Sequence, residues 1–323
     1  MEKEKILVIG GSGMVGVSLI LKLREKYGKD NVIASDIRAE NSALQGTGPY
    51  LILHATDENA IKEVIHKEKI TSVYLLAGLM SAGAEKNPRL AWDLNMGSLK
   101  LLLDLAVDLM KETGQQLKIF WPSSIAVFGP TTPRDNTPQH TILEPSTIYG
   151  VTKYAGELLC QYYYKRYGVD VRSLRYPGLI SWKSEPGPGT TEYAVEIFYG
   201  ALQEKKFTSP LKADTYLPMM YMEDAIRGTL ILMEAPGEKV KNRMSYNFST
   251  ISFSPEDIAN EIKKHIPDFE VKYAPDFRQP IADSWPKSID DSAAREDWGW
   301  KHEYDLSKMV SDMLSNLKVK LSK

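Results

Sequence analysis

The chain has 323 residues, 43% of them hydrophobic and 25% charged, the balance of an ordinary globular protein. A formal net charge of −2 gives no electrostatic footprint for nucleic acid or an anionic membrane surface. No apolar run approaches the ~20 residues of a bilayer span, and the single cysteine, Cys160, excludes an internal disulfide.

Residues Met1 to Lys5 are charged and run straight into a strand-like segment, without the apolar stretch of a signal peptide or the composition of a transit peptide. The expected setting is reducing and cytoplasmic. The five histidines, His54, His66, His140, His265 and His302, are scattered, with no cysteine cluster to join them, so no metal site is expected.

In chain order, Ile6 to Ile9 is a short continuous apolar run, as in a strand buried on both faces. Val15 to Tyr27 has helical spacing, Asn31 to Ser35 reads as a second strand and Tyr50 to His54 as a third. Asp57 then stands as an N-cap for a helix over Glu58 to Lys67. Ser72 to Leu76 is a fourth strand, Pro88 to Lys111 a long helix, Leu117 to Trp121 a fifth strand. A second long helix begins near Thr147 and runs to Tyr167, and Val169 to Leu174 is a sixth strand. This alternation predicts an α/β fold, a Rossmann-type doubly wound parallel sheet with helices on both faces. The expected division is a nucleotide-binding domain over residues 1–176, with later segments at about 215–250 returning to it. Residues 177–323 are then mainly a smaller C-terminal substrate-binding lobe. The Pro-rich loop Gly129 to Glu144 and the stretch Gly187 to Gly189 are candidate mobile covers.

Gly10-Gly-Ser-Gly13-Met-Val-Gly16 lies between the first strand and the first helix, the context that makes a glycine triplet a dinucleotide signature. Gly10 permits a tight turn, Gly13 lets a pyrophosphate approach the backbone, and Gly16 lets the helix pack on the sheet. The first helical turn, with Met14 and Val15, offers unpaired N–H groups to phosphate. Asp36, at the end of the second strand, suits the ribose hydroxyls and repels a 2′-phosphate, which favours NAD over NADP. Arg38 pulls the other way, and we place it over the adenine or in solvent. Asp57 is open to two roles, a helix cap or a partner for the adenine amino group.

Tyr149-Gly-Val-Thr-Lys153 opens the second long helix, with Tyr149 and Lys153 on one face. A neighbouring ammonium, together with a positive nicotinamide ring, stabilises a phenolate and makes the tyrosine a usable base. Ser123-Ser124 stands at the end of the fifth strand.

With its Gly-x-x-Gly-x-x-Gly spacing, the chain resembles the extended branch of the short-chain dehydrogenase/reductase superfamily, which includes nucleotide-sugar epimerases such as UDP-galactose epimerase. The resemblance makes Ser124, by its place before Val127-Phe-Gly129, the catalytic serine beside Tyr149 and Lys153; Ser123 stays open as an alternative. It makes Leu76-Ala77-Gly78 the segment along which the cofactor passes, and Asn95 the asparagine that shapes the active-site helix. It implies further cofactor contacts at Ile37, Tyr176 and Leu179. It also implies a homodimer built on the two long helices, which Leu99, Leu102, Leu103 and Leu109 would line unless they face their own sheet.

The second half is more specific. Arg175-Tyr-Pro-Gly-Leu-Ile-Ser181, Gly189-Thr-Thr-Glu-Tyr-Ala-Val195 and Tyr216-Leu-Pro-Met-Met-Tyr-Met222 resemble short-chain-type L-threonine 3-dehydrogenases, as does Asp297-Trp-Gly-Trp300. That resemblance implies NAD-dependent oxidation of the C3 hydroxyl of L-threonine to L-2-amino-3-oxobutanoate, which goes on to glycine and acetyl-CoA or to aminoacetone. It implies that Ser81 and nearby N–H groups bind the carboxylate and that Thr190 and Glu192 hold the ammonium. The family pattern has Asp at the position of Glu192, which is one methylene longer. Two other readings stand beside this one. A nucleotide-sugar epimerase or dehydratase would need groups for a nucleoside diphosphate, and Ser181 to Leu217 carries Lys183, Lys205, Lys206 and Lys212 but no arginine clamp. A non-enzymatic NAD-sensing protein would have no use for Ser124, Tyr149 and Lys153 together.

Overall fold

A computed structural model of the chain describes residues 4–187, 189–249 and 251–322. Its contacts divide it into two units. The first takes residues 4–127, 147–175 and 229–246; the second takes 128–146, 176–228 and the described residues from 247 onward.

The first unit is built on a six-stranded parallel sheet. Its strands are β1 (Ile6–Ile9), β2 (Val32–Asp36), β3 (Tyr50–Ile52), β4 (Ser72–Leu75), β5 (Lys118–Phe120) and, after the two-residue β6 (Ser123–Ser124), β7 (Val171–Arg172). The spatial order is β3-β2-β1-β4-β5-β7. β1 lies at the centre, with Ile6 beside Val32 on one side and Ser72 on the other. All four of its residues are buried, as a strand covered on both faces requires.

The helices are α1 (Met14–Tyr27), α2 (Glu58–Lys67), the short α3 (Ser81–Lys86), α4 (Pro88–Thr113) and α5 (Ile148–Tyr167). α2 buries Ile61 and Ile65 and is capped by Asp57, whose carboxylate accepts the Ala60 N–H at 3.0 Å. α5 is capped by the Thr147 hydroxyl and ends at Gly168 with φ +76°, where a left-handed residue closes the last turn.

The strand–helix alternation is interrupted: no α-helix joins β2 to β3, and residues 37–49 make the parallel crossover with only a 3₁₀ turn at Ser42–Leu44. The segment holds too few apolar residues for a helical face, and Leu44 alone enters the core there. The sixth strand is split, with Val171–Arg172 in the main sheet and Leu174–Tyr176 outside it. Of the two readings open for Leu99, Leu102, Leu103 and Leu109, the structure has the one in which they face their own sheet. They are buried with Val73, Ile119, Trp121 and Cys160 in the core of their own unit. The helix phase that buries them turns Leu90 and Trp92 of α4 outward, and α5 exposes Val151, Leu158 and Tyr162.

The segment 229–246 is tied to this unit through Arg172, whose guanidinium donates to the carbonyls of Leu232 and Ala235 at 2.6 Å. Arg243 pairs with Asp170 at 2.6 Å.

The second unit carries a three-stranded sheet in which Leu217–Tyr221 pairs parallel with Gly178–Ile180 and antiparallel with Ile251–Phe253. Lys206–Ser209 pairs parallel with Glu270–Tyr273. Met219, Met220 and Met222 are core residues here, and helices Tyr193–Gln203, Pro255–Lys263 and Leu306–Leu321 pack together. Among the described residues no helix is long and apolar enough to cross a membrane.

Candidate active site

The glycine turn is shaped by contacts that only glycine permits at two of its positions. Gly10 has φ +92°, and a Cβ there would lie 2.5 Å from the Ala77 nitrogen. A Cβ on Gly16 would lie 2.6 Å from the Gly10 carbonyl oxygen. Gly10 and Gly11 both donate to the Ser35 carbonyl, at 2.9 and 2.8 Å, which fixes the turn against β2. Gly13 is different: a Cβ there would meet nothing nearer than the Gly10 oxygen at 3.5 Å. The space over Gly13 is open. It faces a helix whose first turn has no side-chain cap and no acidic residue. Unpaired N–H groups at a positive dipole end, with backbone access and no competing carboxylate, fit a pyrophosphate.

Asp36 is buried, and both its carboxylate oxygens are engaged. Oδ2 accepts the Ser12 N–H at 3.1 Å and Arg38 Nη2 at 3.3 Å; Oδ1 accepts the Arg38 N–H and Nε, both at 3.1 Å. Burial opposes ionisation, but the bonds from Arg38 and Ser12 prevail and hold the carboxyl below its ordinary range. The Arg38 side chain is largely exposed and folds back onto Asp36. Ile37 beside it is exposed, and Asp57 caps α2 as described. Leu76 and Ala77 donate their N–H groups to the Ile9 carbonyl, at 2.8 and 3.0 Å, which holds this segment against β1.

Tyr149, Lys153, Glu157 and Cys160 line one buried face of α5. Burial pushes the Tyr149 phenol up to about 12, opposed by a hydrogen bond with Ser124. Burial lowers Lys153 to about 8. The Lys153 ammonium donates to the Pro122 carbonyl at 2.6 Å and stands over two rings, 4.5 Å from the Trp121 centroid and 5.6 Å from that of Tyr149. Both rings attract it only while it is charged. Gly156 makes this packing possible, since a Cβ there would lie 2.3 Å from Trp121.

The two adjacent serines are now distinguished. Ser124 faces Tyr149. The Ser123 hydroxyl turns the other way and donates to the Glu157 carboxylate at 2.6 Å. An ionisable phenol bonded to a hydroxyl, with a lysine beside it, can exchange a proton with an alcohol and steady the oxygen that results.

Asn95 ties this cluster to the loop that carries Ser81. Its Oδ1 accepts the Leu79 N–H at 2.7 Å, and its Nδ2 donates to the Leu79 carbonyl and to Thr152 Oγ1, both at 3.2 Å. Ser81 opens α3, and Glu85 of the same short helix accepts the Ile148 N–H at 2.7 Å, at the start of α5.

The remaining predicted residues belong to the second unit. Tyr176 and Thr190 are buried, and Leu179 is half-buried. Glu192 is half-buried, and its carboxylate accepts the Gly187 N–H at 3.0 Å. Burial raises its pKa, a shift that Glu196 reinforces and the Gly187 bond opposes. Among the described residues no cation pairs with it. Pro188, within the predicted cover Gly187 to Gly189, lies outside the described residues.

Comparison with known proteins decides the family. Residues 6–248 match the NAD-dependent epimerase/dehydratase family. The chain belongs to that family. Its cofactor is accordingly NAD, the cofactor expected from the glycine turn and Asp36. An uncharacterised epimerase/dehydratase of Staphylococcus haemolyticus is 48% identical over 98% of each chain. Among solved structures, the L-threonine dehydrogenase of Cupriavidus necator in its holo form has a TM-score of 0.92. It is 52% identical, over 97% of this chain and 99% of that one. The L-threonine dehydrogenase of Clostridium difficile has a TM-score of 0.95 at 46% identity, over 99% of each chain. The resemblance read from the sequence thus extends over nearly the whole chain.

Sequence reasoning missed Trp121, Glu157 and Arg175 as neighbours of the candidate catalytic cluster. Glu157 stands four residues after Lys153 on the same face, so a scan for further charges along that face could have found it. Arg175 pairs with it from a different element and has no local signal.

Proposed function

We propose that the protein is an NAD-dependent L-threonine 3-dehydrogenase. The observation that carries this reading is the group of the buried Tyr149 and Lys153 with the half-buried Ser124, in a chain that matches threonine dehydrogenases over nearly its whole length. The half-buried Glu192, which pairs with no cation among the described residues, supports an ammonium-bearing substrate.

In the proposed reaction Tyr149 accepts the C3 hydroxyl proton. Ser124 donates to the oxygen as it becomes a carbonyl, and Lys153, held by Pro122 and Trp121, favours the phenolate. NAD, when bound, would supply the acceptor for the hydride that leaves C3. The glycine turn and the α1 N-terminus would hold its phosphates, Asp36 its adenosine ribose and Lys153 the other ribose. Ser81 is assigned to the substrate carboxylate, Thr190 and Glu192 to its ammonium. The product, L-2-amino-3-oxobutanoate, is a β-keto acid. It is open to thiolytic cleavage, giving glycine and acetyl-CoA, or to loss of CO₂, giving aminoacetone. We further propose a cytoplasmic homodimer that pairs the exposed apolar residues Trp92 of α4 and Leu158 and Tyr162 of α5.

The test is NADH formation with L-threonine, D-threonine, L-serine and UDP-glucose, for the wild type and for Tyr149→Phe. Turnover of L-threonine alone, lost in Tyr149→Phe with NAD binding retained, is expected. Turnover of UDP-glucose would make the chain a sugar-nucleotide enzyme. Tight NAD binding with no hydroxy amino acid turned over would make it a sensor.

A further inference from the structure

We propose that the buried Glu157–Arg175 ion pair is a positioning element of the catalytic cluster, holding the Ser124 strand in place through Ser123 and biasing the proton shared by Tyr149 and Lys153 through the Glu157 charge. The inference rests on the reading of Tyr149 and Lys153 as the catalytic pair.

Glu157 has no solvent exposure, and Arg175 and Ser123 almost none. Arg175 grips the carboxylate with two bonds, Nε to Oε1 at 2.9 Å and Nη2 to Oε2 at 2.8 Å. Oε1 also accepts the Ser123 hydroxyl at 2.6 Å. One carboxylate therefore joins α5, the two-residue β6 and the strand that contains Arg175. β6 has only two residues, and Ser124 is the second, so its register against Tyr149 depends on the anchor at Ser123. A doubly hydrogen-bonded guanidinium leaves the carboxylate little freedom to rotate.

The charge acts on the same cluster. The groups facing Lys153 are Tyr149, Glu157 and Cys160 from its own helix, and the Trp121 ring and Pro122 carbonyl from the segment after β5. Cys160 is held as a neutral thiol, because burial raises its pKa far above the ordinary value. Glu157 is then the anion of the set, and it favours the charged lysine.

When the Tyr149–Lys153 pair gives up one proton, the proton leaves either group, and only phenolate with ammonium can deprotonate an alcohol. Glu157 is four residues from Lys153 and eight from Tyr149, a rise of about 6 Å against about 12 Å. Its field therefore stabilises the ammonium more than it destabilises the phenolate, and it selects the productive arrangement.

The test is the double variant Glu157→Gln/Arg175→Gln, which removes both charges together, alongside Ser123→Ala, which removes only the anchor. In the double variant the acid limb of the kcat/KM profile should lie at or slightly above that of the wild type. The amount of phenolate at low pH depends on the tyrosine alone, whereas the plateau above it should fall about tenfold, the worth of one pKa unit in the lysine. A tyrosinate absorbance titration, taken as the difference from Tyr149→Phe, should show correspondingly less phenolate on the plateau. Ser123→Ala should lower kcat by a similar factor at every pH and leave the profile's shape and NAD affinity unchanged. A wild-type plateau and tyrosinate titration in the double variant would overturn the electrostatic part, and unchanged kcat in Ser123→Ala would overturn the anchor. If the double variant does not fold, Arg175→Lys, which keeps the charge and one bond, must retain the wild-type profile shape. A lowered plateau there overturns the proposal. Undiminished turnover in Tyr149→Phe would refute the catalytic assignment instead, a separate result.

Discussion

Adding one methyl group at Gly156 sets helix propensity against packing. Alanine in place of glycine inside a helix such as α5 gains about 0.8–1.0 kcal/mol of propensity. The new Cβ, however, would lie 2.3 Å from one Trp121 ring atom, 2.6 Å from a second and 3.1 Å from a Leu99 methyl. Trp121 and Leu99 are both buried in the core, so neither swings into solvent. Overpacking of this kind costs about 1–3 kcal/mol. The indole must also shift from beneath Lys153, weakening a contact worth about 0.5–2 kcal/mol. The losses exceed the gain by about 2 kcal/mol at the middle of these ranges. Gly156→Ala should accordingly lower the thermal midpoint by a few degrees and reduce kcat, with the NAD dissociation constant unchanged. The assays are thermal denaturation by circular dichroism, initial rates at saturating substrates, and cofactor titration by fluorescence. A midpoint above the wild type's, with full kcat, would refute the reasoning, because propensity would then have prevailed and Trp121 would not matter to Lys153.

Three further outcomes are expected. Lys153→Met should be inactive yet more stable near pH 7: burial lowers the native lysine to about 8 from 10.5, so between those values the unfolded chain holds more protons and stability rises with pH. Below pH 8 the penalty is complete, at most about 3 kcal/mol, and the variant's advantage in denaturation midpoint should shrink as pH climbs from 8 to 10.5. Glu192→Gln should raise KM for the amino acid about 10- to 100-fold, the worth of a charge-assisted bond. KM for NAD should stay unchanged, and equal effects on both constants in steady-state kinetics would remove Glu192 from the substrate site. Asp36→Ala should weaken NAD and release Arg38 for a 2′-phosphate, shifting the NADP-to-NAD ratio of kcat/KM at least about tenfold; an unchanged ratio would separate both residues from cofactor choice.

The parts legible in the sequence are those set by local rules. β1 followed by the glycine turn is a continuous apolar run closed by residues that tolerate a close turn, and the buried strand and uncapped helix stand where expected. α2 was placed to the residue because Asp57 caps it and its apolar positions repeat with helical period. The Tyr149 and Lys153 face was legible from a four-residue spacing. What escaped was set by distant partners. Ser123 and Ser124 are equivalent to any local rule, and only the Glu157 carboxylate on one side and the Tyr149 phenol on the other tell them apart. Arg38 reads as an outward cation, and its fold-back onto Asp36 depends on the turn between them. The α4 leucines show that a helix with apolar residues on most of its circumference has no phase to read until its sheet is present. α3 was missed because Ser-Ala-Gly-Ala offers little apolar period, and its helix starts where Asn95 fixes Leu79.

Cys160 has a practical consequence. The chain's single thiol is sealed on the buried face of α5, with no solvent exposure and a pKa far above the ordinary range. A thiol reagent cannot reach it until that helix lifts, so the labelling rate of the unmodified protein measures how often the helix opens. No label or engineered cysteine is needed, and the same clock can be read with and without each ligand.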